Sequence, residues 1–200
     1  MERQARRRRI QGAARGVFAE KGYAKTSIEQ IARQASLSVG AIYLYFRSKE
    51  DLYVSLLEET MHQVQGELKK LRQSGDGRAL SSAWSYLAQW AATDVESTRV
   101  LRLVCQPGVR TQLSDEVARS TAACITAVRD QLAAIIQDGY APADPTASAD
   151  LLWALFLGLL QQVDARANLD LPGPALPEAA HAAFGAFEAT LKAPARALAA

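Results

Sequence analysis

Two pairs of residues have the spacing of metal-supported catalysis: Glu59 with His62, and Glu178 with His181, each Glu-x-x-His in a stretch of helical pattern. Residues three apart share a helix face, and two such pairs with two further inward glutamates hold di-iron centres in helical bundles. The other acids do not complete that set. Glu67 stands on the same helical stretch as Glu59, Leu151–Leu160 contains no acid, and Glu178 falls in a first helical turn, where the dipole favours an acid anyway. A di-iron enzyme is therefore a distant alternative. No catalytic triad, phosphate-binding loop or zinc signature competes with it, so no catalytic residue, metal ligand or cofactor is assigned.

A second set has a different chemistry. Thr26, Ser27, Tyr43, Tyr45 and Lys49 are hydroxyl and ammonium donors gathered in one short segment, and they suit phosphate oxygens. Thr26 and Lys49 fall at expected helix starts, where free amides and the dipole favour anions. Base reading falls to Ser27, Ser38, Val39, Gly40, Ala41 and Leu44. That group lacks Arg or Asn for a bidentate base contact, so thymine methyls and indirect readout gain weight. Arg33 and Gln34 add donors nearby.

Short helices must position these groups. Thr26 precedes the apolar residues Ile28, Ile31, Ala32 and Ala35, with Glu29 three places on, which predicts a capping box. A break follows at Ala35–Ser38, and Ser38 caps a second helix over Val39–Phe46. Val39, Ile42 and Phe46 form its buried side, leaving Gly40, Ala41 and Leu44 outward and both tyrosines on the flanks. Small outward residues suit a face pressed against a partner. Two short helices joined by a tight turn make a helix-turn-helix.

The run "TSIEQIARQASLSVGAIYLYFRSKEDL" closely resembles the DNA-binding signature of the TetR family of bacterial transcriptional regulators. Thr26, Ile31, Ala32, Ala35, Ser38, Gly40, Tyr43, Tyr45, Phe46, Lys49 and Leu52 carry the resemblance, which covers roughly residues 10 to 57. Ser36 departs from it, since the family often has Gly in that turn. The resemblance implies a homodimer that binds a palindromic operator in double-stranded DNA as a repressor and responds to a small-molecule effector. It also implies a C-terminal ligand pocket and a dimer interface in which the last two long helices form a four-helix bundle with their mates. Trp153, Phe156, Leu160, Phe184 and Phe187 suit a core-like obligate interface. Met61, Trp84, Tyr86, Trp90, Leu103, Cys105 and Trp153 are the candidate ligand-lining residues, which points to a largely apolar effector. The alternative within the same fold is a DNA-binding protein without such a ligand, controlled by a protein partner.

The rest of the chain fits an all-α fold of about nine helices. Residues 1–47 form the helix-turn-helix domain and 48–200 a helical ligand-binding and dimerisation domain, joined by one long helix over 48–71. Ile10, Ala13, Ala14, Val17 and Phe18 give the first helix its amphipathic stripe, with Lys21 and Gly22 closing it. The linking helix carries a continuous apolar side and is expected to move as a rod when a ligand presses on Met61 or Val64. Leu151–Leu160 is apolar on all sides and is expected to be buried all round. The Ala-rich end after Pro194 is expected to fray.

Charge separates the two ends. Residues 1–50 hold eleven Lys/Arg against four Asp/Glu, a net +7, while 51–200 hold twelve against seventeen, a net −5. A basic head on an acidic body implies a polyanion partner for the head. No stretch reaches the ~18 unbroken apolar residues of a membrane span. The basic start "MERQARRRRI" lacks the apolar region of a signal peptide, and Cys105 and Cys124 fit neither a metal nor a disulfide spacing. A cytoplasmic, reducing location is expected.

Overall fold

The computed structural model describes residues 2–75 and 77–192. Among them the chain is all α apart from one 3-10 turn. The helices are α1 (Glu2–Lys25), α2 (Ile28–Gln34), α3 (Val39–Tyr43), α4 (Lys49–Ser55), α5 (Leu57–Gln73), α6 (Ala79–Thr93), α7 (Val95–Val104), α8 (Asp115–Tyr140), α9 (Pro145–Asn168) and α10 (Leu176–Lys192), with the 3-10 turn at Val109–Gln112. Counting α4 and α5 as one broken helix gives the nine expected. The end expected to fray, 193–200, lies outside the described residues.

The chain divides into two compact units: residues 1–61 with 96–124, and 62–95 with 125–200. In the first, Ile10, Ala14, Val17 and Phe18 are the buried stripe of α1, and Ile28, Ile31, Ala32 and Ile42 are its counterparts on α2 and α3. The Phe18 and Tyr23 rings each lie 4.6 Å from the Tyr53 ring, an aromatic cluster at the end of α1. Gly22 sits at φ 73°, outside helical space, so α1 bends in its last turn where the sequence puts its stop.

The rod expected over 48–71 is interrupted at Leu56. The cause lies in α1. Gln11 donates to the carbonyl of Ser55 at 3.2 Å, and Arg15 donates to that of Leu56 at 3.4 Å. Side chains that capture carbonyls at one point open the helical ladder there. Leu56 N–H turns tightly to Tyr53 O instead.

In the second unit α10 packs on both α6 and α9. The Trp84 indole donates to Ala180 O at 2.7 Å and so ties α6 to α10. Phe156 of α9 is the centre of the core, with ring centroids of Trp84, Trp90 and Trp153 at 6.2, 6.3 and 5.5 Å. The expectation that α9 is buried all round does not hold within one chain. Leu152, Trp153, Phe156, Leu159 and Leu160 are buried, whereas Leu151 is 56% exposed and Ala154 and Gly158 are exposed with it. By length and composition alone α9 is apolar enough to cross a membrane, but its buried side is core of this unit.

One residue in the turn between α2 and α3 is strained. Ser36 has φ 52°, the left-handed region that a Cβ disfavours by about 1 kcal/mol. Ser36→Gly is expected to stabilise the protein by about 0.5–1 kcal/mol, read as a raised urea midpoint at constant m. A lowered midpoint would contradict the strain.

Candidate nucleic-acid interface

The cap that starts α2 is one residue later than expected. Ser27, extended at φ −116° and ψ 159°, is the N-cap. Its hydroxyl accepts from Gln30 N–H at 3.4 Å, and its own N–H donates to the Gln30 side chain at 3.1 Å. The capping box is thus Ser27/Gln30 rather than Thr26/Glu29. Thr26 is 3% exposed, and its hydroxyl donates to Gly22 O at 2.8 Å. It fastens the bent end of α1 and points away from solvent, so its side chain offers no donor to a phosphate.

Lys49 also departs from expectation. Its ammonium donates to Tyr23 O at 3.0 Å and Thr26 O at 3.1 Å, and stands 4.2 Å from the centre of the Tyr23 ring. It caps the free carbonyls at the end of α1, where a cation complements the dipole. Tyr23 is fixed in turn: its phenol donates to Glu50, and burial, then that hydrogen bond, raise its pKa well above the ordinary value. Thr26 and Lys49 therefore hold the frame that presents the face.

The face itself is the outward side of α3 and the turn before it. Ser38 caps α3, accepting from Ala41 N–H at 3.1 Å. Ser38 and Gly40 are exposed, Val39 and Ala41 half-buried, Tyr43 is 52% and Leu44 75% exposed, and Ile42 is wholly buried beneath them. Tyr45 is half-buried under the guanidinium of Arg3, 5.9 Å from its ring centre. Ser27 is half-buried beside the start of α2, and Arg33 and Gln34 are exposed at its end. α3 ends at Tyr43, shorter than the helix expected to run to Phe46.

Gly40 is informative. Its φ is not positive, and a Cβ built on it would meet only Ser38 Oγ, at 4.0 Å. Nothing inside the chain requires glycine there, and glycine within a helix costs up to about 1 kcal/mol against alanine. The missing side chain leaves room on the outside.

The groups expected to line a ligand pocket are divided between the units. Met61, Leu103 and Cys105 belong to the first; Met61 is buried, Leu103 half-buried and Cys105 exposed. Trp84, Tyr86, Trp90 and Trp153 belong to the second. There the three tryptophans meet around Phe156, while Tyr86 is half-buried, its phenol pKa raised by burial first and then by Glu67. The Trp90 indole N–H and Gln131 Oε1, both of this unit, are buried with no hydrogen-bond partner among the described residues.

The five residues expected at a dimer interface are core of a single protomer. Trp153, Phe156, Leu160, Phe184 and Phe187 are all buried without a second chain. Large aromatics at helical spacing satisfy a chain's own core before any interface. The uncovered sides are mostly small instead: Ala154 and Gly158 beside Leu151 on α9, and Ala182, Gly185 and Ala189 on α10. Among the described residues no three His, Cys, Asp or Glu side chains gather as a metal site, and Glu59 is paired with Arg15 at 2.8 Å. Sequence alone does not single out Arg3 on the face, and it offers Asp51 only as a helix-start acid paired with Ser48; a three-dimensional neighbour, Tyr45 or Ser114, reveals the role of each.

Residues 10–56 match the profile described as bacterial regulatory proteins, tetR family. The fatty acid metabolism regulator protein of Bacillus subtilis (strain 168) is 49% identical over 51 residues, 26% of either chain, so the match spans about a quarter of that relative. The HTH-type transcriptional regulator RutR of Escherichia coli (strain K12) is 28% identical over 153 residues, 75% of this chain and 71% of that one. A solved structure of Thermus thermophilus FadR, a TetR-family transcriptional repressor in complex with lauroyl-CoA, has a TM-score of 0.69 at 20% identity, covering 90% of this chain and 92% of that one. At that identity the likeness concerns the fold alone.

Proposed function

We propose that the chain, whose residues 10–56 match the profile of the TetR family of bacterial regulatory proteins, is a cytoplasmic transcriptional repressor of that family that binds a palindromic operator as a homodimer and is released by a small, largely apolar ligand. DNA binding is assigned to residues 1–47, and ligand binding with dimerisation to 48–200. This functional division differs from the compact units. The observation that carries the reading is Gly40, a glycine that no contact within the chain requires, in the short helix beside exposed Tyr43 and Leu44. Small residues let the helix backbone approach base edges, and flanking hydroxyls bond phosphate.

The test sets stability against binding. Gly40→Ala is expected to raise stability by up to about 1 kcal/mol, and Gly40→Leu to leave the fold intact while lowering DNA affinity at least about tenfold, a loss of ~1.4 kcal/mol. Tyr43→Phe should weaken binding to all sequences alike by roughly 1 kcal/mol. Gly40→Leu binding DNA like the wild type would remove the main support for the reading.

Dimerisation is supported by the small, uncovered sides of α9 and α10. Gly158 and Gly185 are exposed mid-helix glycines whose Cβ would meet nothing within 4 Å in the chain. Release by ligand is supported by the aromatic cluster around Phe156 and by the unpaired Trp90 indole N–H, which an acceptor on an otherwise apolar molecule would satisfy. The acyl-CoA bound by FadR of Thermus thermophilus supplies the first class to try. A hundredfold preference of ligand for the DNA-free state moves the balance by about 2.7 kcal/mol. Tryptophan fluorescence titration with acyl-CoAs of different length, run beside operator binding, decides it. If compounds that bind leave DNA affinity unchanged, control by a protein partner replaces control by ligand.

A further inference from the structure

The stripe that buries α1 continues toward its start with a change of chemistry. Arg3, Arg6, Arg7 and Ile10 stand at i, i+3, i+4 and i+7, so they share one face of the helix. Arg7 and Arg3 then stack on successive residues past the end of α3. Arg7 lies 5.2 Å from the centre of the Phe46 ring and Arg3 5.9 Å from that of Tyr45. Their electrostatic surroundings differ. Arg7 is largely buried and has Glu58 at 3.6 Å and Glu116 at 3.7 Å. Arg3 has no carboxylate within salt-bridge reach among the described residues. Arg6 has only Glu2, at 3.7 Å and with both side chains well exposed. The inner arginine is neutralised and structural, while of the outer two Arg3 is held against the Tyr45 ring and Arg6 stands exposed beside it, both with little to balance their charge.

These outer two line an open groove of about 380 Å³ with Glu2, Leu44 and Tyr45. Leu44 is also the most exposed large apolar residue of the outward side of α3, so groove and recognition face are continuous. A guanidinium stacked on an aromatic ring keeps its N–H edge free, is already oriented, and loses little entropy on binding a phosphate.

We propose that Arg3 and Arg6 take backbone phosphates of the DNA, forming a contact outside the helix-turn-helix that extends the footprint of each half-site. This rests on the DNA-binding reading above. Two neutralised phosphates account for about 1.8 units of the slope of log K against log salt for each protomer on the DNA, and so about 3.6 for a dimer with both heads bound.

The experiment measures that slope with a short duplex of arbitrary sequence. R3Q/R6Q is expected to flatten it by about two units per bound protomer, up to about four for the dimer, and to weaken binding about tenfold or more near physiological salt. R3K/R6K should retain most of the slope. R8Q/R9Q removes the same charge from exposed positions of α1 that do not line the groove, and should change the slope far less. An unchanged midpoint of thermal unfolding for R3Q/R6Q separates contact from frame. Equal effects of the two glutamine pairs, or a wild-type slope in R3Q/R6Q, would overturn the contact and leave the DNA-binding reading standing; a wild type that binds no DNA would overturn both. Calorimetry with inorganic phosphate is expected to show no binding, and saturable binding lost in R3Q/R6Q would mark a free-anion site in place of a DNA contact.

Discussion

Asp51→Ala is expected to destabilise the first unit by about 3–5 kcal/mol, one of the two largest stability effects anticipated. Asp51 is completely buried. One carboxylate oxygen accepts from Arg47 N–H at 2.8 Å, and the other from both Ser114 N–H and Ser114 Oγ at 2.9 Å. Alanine would leave two amides and a hydroxyl without their acceptor. Asn keeps one acceptor oxygen but turns an NH₂ toward a donor, so Asp51→Asn should lose roughly half as much. Beside it Ser48 Oγ donates to Gln112 O at 3.0 Å, so the start of α4 and the start of α8 are held at two points. Urea unfolding monitored by circular dichroism measures the loss. A change below about 1 kcal/mol would show that water replaces the carboxylate and that the contact is not structural.

Phe156→Ala is the second, with an expected cost of about 4 kcal/mol in the second unit. The ring is 1% exposed and is the common neighbour of Trp84, Trp90 and Trp153. Deleting it removes the transfer energy of the ring and leaves a cavity walled by three indoles, which cannot all collapse inward. Near-ultraviolet circular dichroism should weaken with the midpoint, because the indoles lose their fixed neighbour. The same variant distinguishes core from interface. Sedimentation of the folded fraction should find its self-association unaltered, whereas charges placed at Leu151 and Gly158 should dissociate the dimer while the unfolding of each chain changes little. A Phe156→Ala protein that stays stable and becomes monomeric would return Phe156 to the interface.

The parts of this structure legible in the sequence were those set by near neighbours. The spacing of Ile10, Ala14, Val17 and Phe18 predicted the buried side of α1, and Ser38 was readable as a cap. The start of α2 was ambiguous for a local reason: Thr26/Glu29 and Ser27/Gln30 both have the spacing of a capping box, and only the backbone angles of Ser27 decide between them. Long-range partners were not legible. Lys49 reads as a surface cation until the carbonyls of Tyr23 and Thr26 are seen beneath it, and Asp51 reads as a helix-start acid until Ser114 is found 63 residues away. The break at Leu56 depends on Gln11 and Arg15, which no pattern within 48–71 can signal. On α9 the periodicity was right about which residues dislike water and silent about which molecule covers them.

The first unit is assembled from two separated stretches, 1–61 and 96–124, and this sets an order of events during translation. The recognition helix is among the earliest parts to leave the ribosome, yet Val100, Leu101, Val109, Leu113 and Val117, all buried, are made much later. Until they arrive, Asp51 lacks Ser114, Ser48 lacks the carbonyl of Gln112 and Tyr53 lacks Glu96. A nascent chain paused between α5 and α7 is therefore expected to be protease-sensitive and a client for chaperones. Protection of its N-terminal stretch should set in only once the start of α8 has emerged, so the proposed DNA-contacting face gains its full frame late in synthesis, although its own residues are made first.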